Sequence, residues 1–296
     1  MSTRIYYHPD IFLHDAEADH VAMEANRIET VVNAVKAVPG VEVRLSAPAT
    51  LEQIERNHDP EFIANLIERT PKEKWQQYRI DGETILNRHT WRAMELSAGA
   101  ACQAVDAVID GEVTNAFCAV YAGHHAQHSH AAGFCFINSV AIAAHQALAR
   151  GLDRIAILDI DTHSGNGTAL SFLDNPKVLF GETYQPGYPG NFLPGYCPSN
   201  IVRRLVKSPF QYFEGWEMIL QKVRAFEPQL VLVSAGFDAH MSDRLGVVNL
   251  LDRDYIRIAH DILDVSPRVV ACLEGGYDLP ATSRCAALFV EEMLKR

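Results

Sequence analysis

Apolar residues follow two rhythms along the chain. Short β-branched or aromatic runs occur at Arg4–Tyr7, Val41–Leu45, Ala116–Tyr121, Arg154–Ile160, Lys177–Phe180, Gln229–Val233 and Arg268–Leu273, and each reads as a strand. Between most of them lie stretches with helical spacing: Asn26–Val38, Leu51–Glu68, Met94–Val108, Ser139–Ala149, Tyr212–Phe226, Arg253–Leu263 and Ala281–Leu294. In the first of these, Ile28, Val31, Val32 and Val35 fall on one stripe, the spacing of an amphipathic helix. Runs such as Ile-Ala-Ile-Leu (155–158) and Leu-Val-Leu-Val (230–233) are apolar on both faces, as strands of a covered parallel sheet must be. The alternation predicts one α/β domain over 1–296, with a central, mainly parallel sheet flanked by helices.

Composition narrows the class. Hydrophobic residues make up 48% of the 296 positions and charged residues 21%, ordinary globular usage that excludes disorder or coiled coil as the main architecture. No apolar run reaches the ~18 residues of a membrane helix, and Met-Ser-Thr-Arg-Ile-Tyr-Tyr is too polar for a secretory signal. A soluble, cytoplasmic protein with no membrane partner is expected. The net charge of −11 and the sparse basic cluster at Arg203, Arg204 and Lys207 argue against a nucleic-acid partner. None of the six cysteines forms a CxxC pair, so they read as reduced core residues.

In open parallel sheets the ligand site forms beyond the carboxyl ends of the strands. The polar residues that follow four of the predicted strands are Gly123-His124-His125, Asp161-Thr162-His163-Ser164-Gly165-Asn166, Ser234-Ala235-Gly236-Phe237-Asp238 and Glu274-Gly275-Gly276-Tyr277. Asp161, His163 and Asp238 offer two carboxylates and one imidazole, the three-ligand set of an open metal site with a position left for water. Alternate residues of an extended segment point the same way, so Asp161 and His163 can reach one ion while Thr162 cannot. His124 and His125 need partners to fix their tautomers, and Asp159 and Asn166 stand at the neighbouring strand end. A carboxylate partner favours the charged imidazole and an amide the neutral one, which suggests one electrostatic role and one general base. Tyr277, after a glycine pair read as a flexible loop, could donate to a developing oxyanion. His128 and His130 fit a surface turn better and are left out.

These residues resemble the zinc-dependent deacetylases: histone deacetylases, acetylpolyamine amidohydrolases and the acetoin-utilisation-type bacterial proteins. The matching segments are Gly123-His124-His125-Ala126, Gly133-Phe134-Cys135 with Asn138 and 140–143, Asp159-x-Asp161-x-His163-x-x-Asn166-Gly167-Thr168, Ser234 to Asp238, and Leu273 to Tyr277. The resemblance implies an arginase/deacetylase-type fold and hydrolysis of an N-acyl amide, with acetyl-lysine or an acetylpolyamine as substrate. It implies zinc, or iron(II), on Asp161, His163 and Asp238, with His125 as base and then acid, His124 beside it and Tyr277 polarising the carbonyl. Gly133, Phe134 and Tyr188 would border the acyl tunnel. An inner K⁺ or Na⁺ would lie on Asp159 and the carbonyls of Asp161, His163 and Thr183. Asn166, where other relatives carry an acid, places the chain with the class II and bacterial branch. Homo-oligomerisation is compatible with all of this.

The sequence also departs from the family pattern. Val120-Tyr121-Ala122 replaces Arg-Pro-Pro, so the inner-pocket arginine is missing from that position. Gly190-Asn191-Phe192 replaces Gly-Thr-Gly, and His20-Val21-Ala22 replaces His-Pro-Glu. Leu245 stands where polyamine-selective relatives place an acid, which leans toward acyl-lysine-type or other substrates. A binuclear ureohydrolase on the same fold needs acids where Gly165 and His240 stand, and a non-catalytic zinc-binding regulator would have lost His125 or Tyr277.

Overall fold

The computed structural model describes residues 2–17, 26–190, 192–193 and 198–295. The described strands are β1 Thr3–Tyr7, β2 Glu42–Leu45, β3 Tyr78–Arg79, β4 Ile85–Leu86 and β5 Asn115–Cys118 in the first half. In the second half they are β6 Ile155–Asp159, β7 Val178–Tyr184, β8 Ile201–Leu205, β9 Leu230–Ala235 and β10 Val269–Leu273. The helices are α1 Pro9–Ala16, α2 Arg27–Lys36, α3 Leu51–Glu55, α4 Pro60–Arg69 and α5 Thr90–Ile109. They continue with α6 Ser139–Ala149, α7 Asn166–Ser171, α8 Pro209–Phe226, α9 Asp252–Val265 and α10 Leu279–Leu294.

Eight strands form one sheet in the order β2-β1-β5-β10-β9-β6-β7-β8, every pair parallel. The four strands whose ends carry the candidate chemistry, β5, β10, β9 and β6, are consecutive in that order. All four are buried along their whole length. Helix α5 packs with α6 and against β1, β5 and β10, while α2, α9 and α10 form a second group and α8 covers β7 and β8. With helices supplying cover, the apolar runs need no polar face.

Local rules set most boundaries. Asn138 caps α6 by accepting from Ala141 N, and Asp278 caps α10 in the same way. The stretch 51–68, read as one helix, is two. Asp59 caps a fresh start at Pro60, and proline is accommodated there because the first turn needs no N–H. The strand expected over 116–121 ends at Cys118, and the one expected over 177–180 runs on to Tyr184. The edge strand β8, Ile-Val-Arg-Arg-Leu, has too mixed a pattern to show in the sequence, as do the short α1, α7 and the β3–β4 hairpin. No helix among the described residues is long and apolar enough to cross a membrane. The five described cysteines are buried and free, and Cys197 lies outside the described residues.

Candidate active site

Beyond β6 the chain turns so that Asp161 and His163 face Asp238 from the end of β9. One ligand atom from each lies within 4.8 Å of the others. His163 Nδ1 is 2.8 Å from Asp238 Oδ2 and 3.2 Å from Asp161 Oδ1. Backbone amides hold the carboxylates in place: Gly275 N donates to Asp161 Oδ2 at 2.8 Å, and Thr162 N donates to Asp238 Oδ1 at 2.8 Å. Two fully buried carboxylates this close demand a cation. His163 answers as an imidazolium: burial works against its charge, but Asp161 and Asp238 carry its pKa up to about 10. Burial and the neighbouring Asp161 push Asp238 up to about 7. Burial would also raise Asp161, yet the charged His124 and the bond from His163 hold it below the usual carboxylate range. This oxygen–nitrogen set suits a zinc-type dication.

The two adjacent histidines are set apart by their partners. His124 Nδ1 lies 3.0 Å from Asp159 Oδ2, and its Nε2 is 3.8 Å from Asp161 Oδ1. Burial opposes its charge, but Asp161 and Asp159 outweigh that and raise its pKa well above the ordinary value. His125 Nδ1 lies 2.8 Å from Asn166 Oδ1. With the amide oxygen accepting, the proton sits on Nδ1 and Nε2 keeps its lone pair. Burial, reinforced by the charged His124, holds the His125 pKa well below the imidazole range. The rings are 4.1 Å apart between centroids, one cationic and one neutral.

Aromatic walls surround this pair. The Tyr188 ring meets His125 edge-on at 5.0 Å, and Phe134 lies 6.4 Å from Tyr277. Gly133 sits at φ +56°, and a Cβ there would come within 2.7 Å of His125 Cδ2 and 2.9 Å of Tyr188 Cε1. Only glycine lets the backbone pass between these two rings. Tyr277 is buried, its backbone N donates to Asp243 Oδ2 at 2.7 Å, and burial with Asp161 and Asp238 nearby keeps the phenol protonated.

The glycine pair before Tyr277 is not the flexible loop the sequence suggested. A Cβ on Gly275 would stand 2.5 Å from Asp161 Oδ2 and 2.7 Å from Asp238 Oδ2, and one on Gly276 would stand 2.6 Å from Thr282 Oγ1. These glycines allow close packing. A buried arginine that the motifs did not single out lies behind Tyr277. Arg27, fully buried on α2, lies 5.8 Å from the Tyr277 ring and donates to Glu274 O at 2.8 Å. Its signal was present, since Arg27 shares the buried stripe of α2 with Val31 and Val35.

Sequence reasoning gave no role to three buried acids. Glu274, pushed up to about 8 by burial, accepts from Gly123 N at 2.6 Å and His124 N at 3.1 Å, which fixes the two-histidine turn. Glu182 accepts from Ser164 Oγ and Gly165 N, each at 2.7 Å, and pairs with Arg203. Asp243 holds the Tyr277 backbone. Thr183 is buried on β7, the strand that follows the Asp161–His163 loop in the chain. His128, left out above, gives Nδ1 to the Asn57 carbonyl at 2.7 Å. His240 turns away from the centre: Ser242 N donates to its Nδ1 and its Nε2 lies 3.0 Å from Asp252 Oδ1. Cys285 joins that cluster, but both ring nitrogens are engaged and Arg284 already takes Asp252 at two points. Residues 20–22 and Asn191 lie outside the described residues.

The structure thus sets an acid–imidazole centre at the carboxyl ends of the middle strands of a parallel sheet. The histone deacetylase domain profile matches residues 21–293. The chain is 31% identical to the "Probable deacetylase" of Archaeoglobus fulgidus, over 94% of this chain and 82% of that protein. It is 32% identical to human "Polyamine deacetylase HDAC10" over 99% of its own length and spans about half, 48%, of that protein. The solved HDA15 HD domain superposes with a TM-score of 0.90 at 26% identity, covering 99% of this chain and 90% of that one. The chain belongs to the histone deacetylase family.

Proposed function

We propose that the protein removes an acetyl or other short acyl group from an acylated primary amine, with acetyl-lysine or an acetylpolyamine as substrate. The observation that carries this reading is the pair of adjacent imidazoles, one bonded to the Asp159 carboxylate and the other to the Asn166 amide, beside Asp161, His163 and Asp238. Those three residues would hold the zinc, or iron(II), which supplies activation of the attacking water and polarisation of the amide carbonyl.

The protein's own groups do the rest. His125 Nε2 takes the proton of the attacking water as the C–O bond forms, and the imidazolium returns a proton to the amine nitrogen as the C–N bond breaks. His124, already charged, adds no proton and stabilises negative charge gathering at the centre. The Tyr277 hydroxyl donates to the carbonyl oxygen, and its raised pKa keeps that proton available. Gly133, Phe134 and Tyr188 border the acyl chain. Asp159, whose carboxyl burial pushes up to about 6, would share a K⁺ or Na⁺ with the carbonyls of Asp161, His163 and Thr183.

The test is a deacylation panel of an acetylated diamine, an acetyl-lysine peptide and longer acyl-lysine peptides, with elemental analysis of the same preparation. Amine release with about one metal ion per chain is expected. A metal-loaded protein that binds these compounds and releases no amine would be a non-catalytic reader, and two tightly held transition metals would favour binuclear chemistry.

A further inference from the structure

The segment 243–247, at the edge of the centre, is tied down by a side chain that the chemistry above does not use. Gln185 follows β7 by one residue and is buried, and its backbone N donates to Thr162 O at 2.8 Å. Its carboxamide is bonded at both ends. Nε2 donates to the Leu245 carbonyl at 2.8 Å and lies 3.4 Å from His163 Nε2, while Oε1 accepts from Val247 N at 2.8 Å and from Thr162 Oγ1 at 3.1 Å. One carboxamide thus reads the C=O and N–H flanking a single residue, as a neighbouring strand would.

The segment it holds touches both sides of the centre. Gly246 lies so close to the candidate ligand Asp238 that a Cβ there would stand 2.0 Å from the Asp238 carbonyl oxygen. At its other end Asp243 Oδ1 accepts from Leu245 N at 2.9 Å, while Oδ2 accepts from the backbones of Tyr277 and Asp278. Leu245 is half-buried against the core and Val247 is exposed. Gln185 therefore joins the loop of Asp161 and His163 to a segment seated between Asp238 and Tyr277. Its amide is neutral at all working pH values, which suits it to hold a shape beside charged groups without moving a proton.

We propose that Gln185 is a positioning residue for specificity: it fixes Leu245 and Val247 at the rim and so decides which acyl chain and amine the centre admits. The proposal rests on the deacylase reading above and gives the specificity of that site a physical origin. Gln185→Ala removes the bonds and the volume, whereas Gln185→Met keeps most of the volume and removes the bonds. Both variants should keep the metal and free the Val247 amide to exchange about tenfold faster or more. Their kcat on the best substrate should stay within about threefold, while KM rises and the preference between acetyl-lysine and octanoyl-lysine peptides shifts about tenfold.

Wild-type exchange with wild-type preference in both variants would overturn the proposal. So would loss of metal with an equal fall in kcat on every substrate, since that is a purely structural role. A wild type that turns over nothing sinks the deacylase reading instead. The proposal is then judged on the ratio of affinities for acetohydroxamate and octanohydroxamate, and an unchanged ratio in the variants overturns it.

Discussion

At the scale of single residues, the partner of an imidazole decides its work. Asn166→Asp would place a carboxylate against His125 Nδ1, 2.8 Å from the present amide oxygen. The imidazolium is then favoured and the His125 pKa rises. Because the base must be unprotonated to accept, the acidic limb of kcat/KM should move to higher pH by about one unit or more. An unmoved limb would remove His125 from the base role. Tyr277→Phe deletes one hydroxyl from a ring packed near Arg27 and Phe134. Metal content and Tm should hardly change, while kcat should fall by about 100-fold, the scale of one lost oxyanion donor. Turnover at the wild-type rate would make Tyr277 structural.

At the scale of elements, the loops after β5, β6, β9 and β10 act as one packed layer. Phe237 N donates to the Gly275 carbonyl at 2.9 Å, and Gly275 N donates to Asp161, so the β10 end is tied to the β9 end on one side and to the β6 loop on the other. Gly275→Ala would drive a methyl into Asp161 and Asp238. It should cost about 1–3 kcal/mol by overpacking and spread the carboxylates. Dialysis against a mild chelator should then strip metal from the variant faster than from wild type, and equal retention would show that the layer can yield. The sequence suggested a mobile loop here because a Gly-Gly pair carries one signal for two uses. Freedom and close approach both call for the missing Cβ, and only the neighbours distinguish them.

At the scale of the whole molecule, the sheet gathers several buried acids at one end. In metal-free protein, burial raises Asp238 to about 7, Asp159 to about 6 and Glu274 to about 8, and the carboxylates lift His163 to about 10. Unfolded carboxyls titrate near about 4, so above that pH the folded state binds more protons than the unfolded one. Stability must therefore fall as pH rises through the folded values. Chelator-treated protein should lose Tm between about pH 6 and pH 8, and zinc should restore most of it, by about 4 kcal/mol at 1,000 times Kd. A metal-free Tm that rises over this interval would contradict the acid cluster as described.

Periodicity and strand ends made much of this protein legible before any fold was known. The two-sided apolar runs marked β6 and β9 as interior strands, since only a covered strand can be apolar on both faces. The rule that ligands gather beyond strand carboxyl ends then picked out His124, His125, Asp161, His163, Asp238 and Tyr277 from residues far apart in the chain. Local chemistry carries that much, because each strand writes its own burial and each turn its own glycines. Tertiary structure alone decided the remainder. The sheet order set β5, β10, β9 and β6 side by side, which no single segment encodes. Arg27 reached Tyr277 from a helix about 250 positions away in sequence, and Gln185 met Leu245 across another 60. Such pairings cost chain entropy that only the assembled core repays, so their partners leave no periodic trace around them.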